Sequence, residues 1–367
     1  MSASPNDPAG DDRPGDPATP GGRATPGGRA AVAVALVPGL ALALAIAAVA
    51  TVVGSLVPIV GTALPAIAIG LAIALVRRPG ARLQPGIRFT GSRVLQLSVV
   101  LLGTQLSLGE IVDVGVGSLP IMLVTLAACL GAAWLVGRAL GVVGDLRTLI
   151  GVGTGICGAS AIAAVAPVIG AASADIAYAV STIFLFNMLA VAVFPLVGHA
   201  LGLDQQAFAL FAGTAVNDTS SVVATAAVYG TVALHGAVVV KLVRTLMIVP
   251  ITVGLAVHVR RRARRSADGD AHPPLSFGRA VRLVPWFLVG FLAMSGVASL
   301  GLIPDAAGTA LGHVATFLIT TAMAAIGLST DVRALRATGP KPLVLGGILS
   351  AVVAVTSLVV ILATGAG

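Results

Sequence analysis

Charged and aromatic residues are scarce in this sequence of 367 residues. Asp, Glu, Lys and Arg make up 10% of it and Phe, Trp and Tyr 4%, whereas 57% is hydrophobic and the mean hydropathy is +1.03. A soluble domain of this length carries far more charge. Apolar stretches of about 20 residues, the length that crosses a bilayer, follow one another from Ala31 to Ala366. The composition therefore predicts an all-α, polytopic membrane protein in contact with the lipid bilayer.

Cysteines and the familiar catalytic motifs are also scarce. The two cysteines, Cys129 and Cys157, lie in apolar segments without a CxxC spacing, which argues against a disulfide framework or a zinc site. The sequence contains no P-loop, HExxH or GxSxG string. Residues 153–158 match GxGxxG, but inside a bilayer-length apolar segment rather than a strand-turn-helix unit. We expect no enzyme activity and no cofactor. Basic residues without interleaved aromatics also argue against a nucleic-acid partner.

The first 30 residues differ from the rest. They are rich in Pro, Gly and Asp and contain the doubled unit ATPGGRATPGGR. Such a segment cannot bury enough apolar surface to fold. We predict a disordered cytoplasmic tail over residues 1–30 and one transmembrane domain over residues 31–367. The apolar segments predict about eleven transmembrane helices, near residues 32–53, 57–76, 93–109, 118–137, 148–169, 174–198, 206–228, 235–258, 282–302, 309–329 and 342–364.

The basic residues are distributed unevenly between the loops. With this count of spans, 20 of the 22 Lys and Arg residues fall on one side of the membrane, including Arg333 and Arg336. The opposite loops carry Asp113, Asp175 and Asp305 but no basic residue. Because Lys- and Arg-rich loops stay in the cytoplasm, we expect a multi-pass plasma-membrane protein with a cytoplasmic N-terminus.

Two segments of the chain resemble each other. GTGICGASAIAAVAPVIGA begins at Gly153 and GTAVNDTSSVVATAAVYGT begins at Gly213. Internal repeats with glycine-interrupted helices are typical of secondary transporters, so the pair predicts two broken helices. The alternative is a chance likeness between Ala- and Gly-rich helices. The count of spans runs both segments in the same direction, and an inverted pair would require a re-entrant hairpin or a different count.

Polar side chains interrupt the second segment, and two basic residues follow it. Unpaired polar groups at this depth are costly, and a broken helix offers N–H groups and a positive dipole end to an anion. Asp218 could carry a coupling proton or sodium ion. Lys241 and Arg244, three residues apart, share a helical face and either contact substrate or pair structurally with Asp218. Thr154 and Ser160 either face the same cavity or belong to a tightly packed helix.

Several strings together resemble a known family. These are GTGICGASAIAAVAPVI, GTAVNDTSSVVATAAVYG and AVVVKLVRTLMIVPI, preceded by LLGTQLSL. From about Arg88 to the C-terminus the chain is similar to the bacterial sulfate exporter family. The resemblance implies a multi-pass protein of the bacterial inner membrane, distantly similar to bile-acid symporters and cation/proton antiporters, with internal repeats and crossed, broken helices.

The resemblance also implies a function and a set of site residues. The function is secondary active transport of a small anion, sulfate or sulfonate-like, by alternating access with a proton or sodium ion. Two alternatives stay open, a passive anion channel and a membrane protein without transport activity, and homo-oligomerisation is also open. Asn217 stands where the family often has histidine. The residues carried over by position, with Asn217 added from the polar cluster, are Gly153, Thr154, Cys157, Gly158, Ser160, Gly213, Thr214, Asn217, Asp218, Thr219, Ser220, Lys241 and Arg244.

Overall fold

The structure, a computed structural model, describes residues 26–56, 62–77, 79–265, 285–329 and 340–365. Within these ranges the chain is helical and contains no β-strand, which agrees with the predicted all-α class. Most of the predicted tail lies outside them, as do Arg333 and Arg336. The helices are α1 Pro26–Leu56, α2 Ala63–Val76, α3 Gln84–Phe89, α4 Leu95–Leu102, α5 Leu108–Ala139, α6 Gly144–Gly155, α7 Ala159–Ile169, α8 Ser173–Ala200, α9 Gln205–Ala215, α10 Thr219–Tyr229, α11 Thr231–Leu246, α12 Ile248–Arg265, α13 Trp286–Ser299, α14 Asp305–Ser329 and α15 Pro340–Thr364.

Among the described residues, six helical segments are long and apolar enough to cross a membrane. They comprise most of α1, α14 and the continuous α11–α12 pair, together with all of α5, α8 and α15. A π-helical turn, Thr90–Val94, joins α3 to α4, so these form one interrupted helix. The remaining apolar helices, α2, α7, α10 and α13, are shorter. Multi-pass membrane architecture is therefore confirmed, but the count of about eleven spanning helices is not.

The helices form two bundles. Helices α1–α4, α13 and α14 pack mainly against one another in the first bundle, and α5–α12 with α15 form the second. Glycines allow close packing in the first bundle. A Cβ atom built on Gly70 of α2 would lie 2.5 Å from the Ala324 carbonyl oxygen of α14, and one on Gly327 would lie 2.5 Å from that of Ile67. Backbones that approach this closely need a residue without a side chain.

Helices α9 and α10 form a hairpin with both outer ends on the same side of the second bundle. The Gln205 side chain, at the start of α9, accepts hydrogen bonds from the backbone N–H groups of Val232 (3.0 Å) and Ala233 at the start of α11. The ring of Tyr229, at the end of α10, stacks on Phe208 with centroids 3.7 Å apart. Neither half-helix reaches the other side, so the predicted span over 206–228 enters the bundle and returns.

Helices α6 and α7 form a second hairpin, which enters from the other side. Side-chain atoms of Arg147 in α6 pack against Gly137 near the end of α5, and a Cβ atom on Gly141 would lie 4.0 Å from the amino group of Lys341 at the start of α15. Helix α7 packs along α12, whose end carries the RRRARR run. Helix α8 begins on this same side, because its other end lies with the outer end of α10, where His199 stacks on Tyr229.

The two Gly-Thr repeats are therefore inverted re-entrant hairpins. We name the end of the molecule with Arg77, Arg93, Arg138 and Arg147 the basic face, and the other end the opposite face. Hairpin α6–α7 enters from the basic face and hairpin α9–α10 from the opposite face. The predicted crossings at 148–169 and 206–228 are both wrong, because each segment turns back at its break. Asp175, at the start of α8, consequently lies on the basic face and not opposite to it.

Candidate ion and substrate site at the hairpin tips

The tips of the two hairpins meet in the middle of the second bundle. The first tip is residues 156–158, between α6 and α7, and the second is residues 216–218, between α9 and α10. Gly158 has φ +72° and ψ −131°, and a Cβ atom built on it would lie 3.4 Å from Cβ of Asp218. Only glycine readily adopts this combination of angles, and the distance to Asp218 is an ordinary van der Waals contact. The repeat thus produces two broken helices, as predicted.

Lys241 of α11 joins the two tips. Its side chain is completely buried, and its amino group donates hydrogen bonds to the carbonyl oxygens of Ile156, at 2.8 Å, and Val216, at 2.9 Å. These carbonyls belong to the C-terminal ends of α6 and α9, which have no further helical turn to accept from. A C-terminal helix end carries partial negative charge, so the ammonium group both satisfies the carbonyls and neutralises the ends.

Arg244, one helical turn further on, repeats this arrangement. Its completely buried guanidinium group donates from Nε to the Gly155 carbonyl at 2.8 Å and from Nη1 to the carbonyl of Thr214. Nη2 lies 3.4 Å from the Thr154 carbonyl oxygen. The sequence left open whether Lys241 and Arg244 contact substrate or pair with Asp218. Both cations in fact bind backbone carbonyls of both hairpins, and neither of the two expected partners.

Asp218 caps the N-terminus of α10. Its carboxylate accepts hydrogen bonds from the backbone N–H groups of Ser220 (2.9 Å) and Ser221 (3.4 Å), and from the Ser220 hydroxyl. Within the part of the chain that the structure describes, Asp218 makes no ion pair with Lys241 or Arg244. The carboxylate is only partly buried, so it stays accessible to an ion at the tips.

Asn217 presents a buried oxygen atom without a partner. Its backbone N–H donates to the Asn187 side-chain oxygen of α8 at 3.1 Å. Its own Oδ1 atom is buried and accepts no hydrogen bond from any described residue. Leaving such a group unpaired costs about 1–3 kcal/mol. The amide thus offers an acceptor beside the Asp218 carboxylate.

The glycines and threonines of the repeats have packing roles in the structure. A Cβ atom on Gly213 would lie 2.7 Å from Val240 of α11, and one on Gly153 would overlap Ile183 of α8. The Thr214 hydroxyl and the hydroxyl of Ser357 in α15 lie 2.6 Å apart. Thr154 is also buried and offers its carbonyl oxygen to Arg244. These contacts allow the half-helices to approach α8, α11 and α15 closely.

The start of α7 differs from the start of α10, because its N-cap residue, Gly158, has no side chain to accept a hydrogen bond, and among the described side chains only the Cys157 sulfur lies against a first-turn N–H group, that of Ala161. Ser160, in its first turn, is exposed, whereas Thr219 and Ser220 in the first turn of α10 are half-buried. Cys157, beside the Gly158 turn, is buried with a free thiol. Among the predicted site residues, the hydroxyls of Ser160 and Thr219 make no hydrogen bond to any described residue, so they remain available to a ligand together with the first N–H groups of α7.

Two partners of the tips were not predicted as site residues. Asn187 is the only amide in α8, and its position in an apolar helix was the signal that could have identified it. Ser357 in α15 had no comparable signal.

In the described ranges, no three His, Cys, Asp or Glu residues are arranged to hold a metal ion. The tips therefore contain cations, a carboxylate, amides and hydroxyls.

Comparison with known proteins identifies relatives along most of the chain. The family described as Conserved hypothetical protein 698 matches residues 38–346. A UPF0324 membrane protein of Streptococcus pyogenes serotype M3 is 42% identical over 333 residues, covering 89% of this chain and 97% of the relative. A UPF0324 membrane protein of Streptococcus agalactiae serotype V is 40% identical over 314 residues, covering 84% and 92%. One from Fusobacterium nucleatum is 38% identical over 328 residues, also covering 84% and 92%.

No solved structure matches the chain. The matching relatives are bacterial membrane proteins, and their names contain no reference to sulfate, to export or to bile-acid symport. The family match extends through both hairpins and α11, which carries Lys241 and Arg244. The chain therefore belongs to the Conserved hypothetical protein 698 family, the bacterial UPF0324 membrane proteins.

Proposed function

We propose that this protein is a secondary active transporter of a small anion, sulfate or sulfonate-like, across the bacterial inner membrane. The observation that carries the proposal is the meeting of two re-entrant hairpins from opposite faces, with four half-helix ends at one point. Discontinuous helices whose ends meet at the bilayer midplane are the usual substrate and ion sites of secondary transporters. The two-bundle architecture supports alternating access, because one bundle can move against the other around such a site.

The charges at the tips support an anionic substrate. The partial charges of two helix C-termini and two N-termini, about half a unit each, cancel one another. Lys241 and Arg244 together exceed the single charge of Asp218, which leaves about one positive charge. The uncapped start of α7, with the Ser160 hydroxyl, is where an anion gains the most from this potential.

Each charged residue then has a distinct role. Lys241 and Arg244 hold the tips together and provide positive charge without touching the substrate. Asp218, accessible and next to the unpaired Asn217 oxygen, exchanges the coupling proton or sodium ion. Retention of basic loops in the cytoplasm makes the basic face cytoplasmic, and the same argument leaves the N-terminus in the cytoplasm.

The test is flux of labelled sulfate into proteoliposomes under imposed proton or sodium gradients. We expect saturable uptake driven by one of these gradients, and its loss in Asp218→Asn. Asp204→Asn is the matched control, because Asp204 caps α9 by accepting from the Ala207 N–H at 2.7 Å, away from the tips. Uptake that never saturates would indicate a channel. Equal losses of uptake in both variants would mean that Asp218 acts only as a helix cap.

A further inference from the structure

A polar cavity lies between the two bundles, away from the hairpin tips. It has a volume of about 340 Å³ and opens at the opposite face, between the starts of α2, α11 and α14. Its walls include Thr62, Gln105, Thr316 and Thr320 from the first bundle and His235 from the second. Ala227 of α10 also lines it, nine residues from Asp218, or about 14 Å at a rise of 1.5 Å per residue. The cavity and the tips are thus separate places.

Hydrogen bonds fix one wall of the cavity. The Thr62 and Thr320 hydroxyls lie 2.8 Å apart and link the start of α2 to α14. Gln105 donates from Nε2 to the Gly308 carbonyl oxygen at 2.8 Å. This wall is therefore organised before any ligand arrives, which lowers the entropy cost of binding.

Imidazole groups supply donors without protein partners. His235 in α11 and His313 in α14 line the cavity from different bundles, and neither makes a hydrogen bond to any part of the chain that the structure describes. Glu110 interacts electrostatically with His235, but its carboxylate accepts hydrogen bonds from the backbone and hydroxyl of Ser107 instead. Two walls thus face each other with free imidazole nitrogens.

Among the described residues that line the cavity there is no Asp, Glu, Lys or Arg. The described lining offers a cation no carboxylate ligand, whereas hydroxyl and imidazole groups can donate several hydrogen bonds to one anion. We propose that this cavity is an entry site that binds a small oxyanion at the opposite face before it reaches the tips. The proposal rests on the proposed function, because it assumes the same anion at both places. A bound anion would also bridge His235 and His313, so binding depends on how close the two bundles are.

Cysteine protection tests the site directly. Both native cysteines are buried, so one introduced cysteine can be labelled alone with a membrane-impermeant maleimide. Thr316→Cys suits the cavity, because the Thr316 hydroxyl bonds only within its helix, to the Gly312 carbonyl. Leu302→Cys is the matched control, since Leu302 is 67% exposed outside the cavity on the same face.

We expect saturating sulfate to slow labelling of Thr316→Cys several-fold, relative to gluconate of equal ionic strength, and to leave Leu302→Cys unchanged. Adding His235→Gln should remove the protection. Protection that is absent, equal at both cysteines or unaffected by His235→Gln would overturn the entry site.

The Asp218→Asn background separates this proposal from the transporter itself. Persistent protection of Thr316→Cys in that background, with flux lost, supports a separate entry site. Protection that disappears with Asp218→Asn would place the anion only at the tips and overturn it. If unmodified protein transports sulfate without protection, only the entry site fails. If it shows protection without flux, the site stands and the transporter proposal fails.

Discussion

The two re-entrant hairpins have similar sequences but are stabilised differently. Hairpin α9–α10 has a carboxylate cap at its tip, Asp218, and an aromatic stack at its outer end, where Tyr229 lies between His199 and Phe208. Hairpin α6–α7 has an uncapped glycine at its tip, Gly158, followed by exposed Ser160. Hairpin α9–α10 caps its own second half-helix but leaves the Asn217 oxygen unpaired, whereas hairpin α6–α7 leaves donors free at the start of α7. Under the proposed function, this difference places ion exchange at the capped tip and anion binding at the uncapped one.

The largest effect should come from removing the link between the hairpins. Arg244→Met leaves buried carbonyl groups of both hairpins without a donor, so we expect the free energy of unfolding to fall by about 3–5 kcal/mol. Thermal unfolding of the purified protein in detergent measures this. Arg261→Met, at an exposed position of α12, is the control and should change stability by less than about 0.5 kcal/mol. A stable Arg244→Met protein that no longer transports would mean that Arg244 contacts the substrate.

The tip of the uncapped hairpin should be the next most sensitive position. Gly158→Ala forces alanine into φ +72° and ψ −131° and places its methyl group 3.4 Å from Asp218. We expect a loss of about 2–3 kcal/mol in the free energy of unfolding. Gly170→Ala is the control, because Gly170 also has positive φ, at +67°, but no atom within 4 Å. It should cost about 1 kcal/mol, and equal losses would contradict a role for the Gly158–Asp218 contact.

The outer end of the capped hairpin should show a smaller effect. Tyr229→Phe keeps the stacked ring but loses the hydrogen bond that the hydroxyl donates to the Leu203 carbonyl. We expect stability to fall by about 1 kcal/mol. Tyr178, the other tyrosine of the chain, is exposed, and Tyr178→Phe should leave the unfolding temperature unchanged. A similar result for both variants would show that the stack alone holds this end.

The smallest change in stability should accompany a change in transport. Ser160→Ala removes an exposed hydroxyl without a protein partner, so stability should change by less than about 0.5 kcal/mol. Loss of one hydrogen bond to the anion, about 1 kcal/mol, should raise KM roughly five-fold in the flux assay. Ser173→Ala, exposed at the start of α8, should leave KM unchanged. An unchanged KM in Ser160→Ala would move the anion away from the start of α7.

The sequence contained enough information to predict the broken helices but not their direction. The Gly-Thr repeat and the polar residues around Asp218 indicated where helices break, because those residues are costly inside an intact apolar helix. An apolar segment of 20 residues has the same composition whether it crosses or returns, so 148–169 and 206–228 were counted as crossings. The return depends on tertiary contacts such as that of Gln205 with the start of α11.

The buried cations were predicted as important, but their partners were not. Lys241 and Arg244 bind backbone carbonyls. Every residue has a backbone carbonyl group, so residue types do not indicate which of them the two cations bind. The meeting of His235 and His313 in one cavity could likewise not be predicted from the sequence. They lie on helices of different bundles, and neither has the spacing of a metal site. Residue type thus predicted which residues carry the buried charge, whereas their contacts could be identified only from the fold.

The attachment of both hairpins to a single helix has a consequence for leakage. Lys241 and Arg244 are one turn apart on α11, and each is bonded to hairpins entering from opposite membrane faces. A fluctuation that opened a continuous water path would have to withdraw both tips, and so break bonds at both cations at once. In a transporter of the proposed kind, α11 would therefore limit ion leakage, because a leak through the tips has to break both sets of bonds.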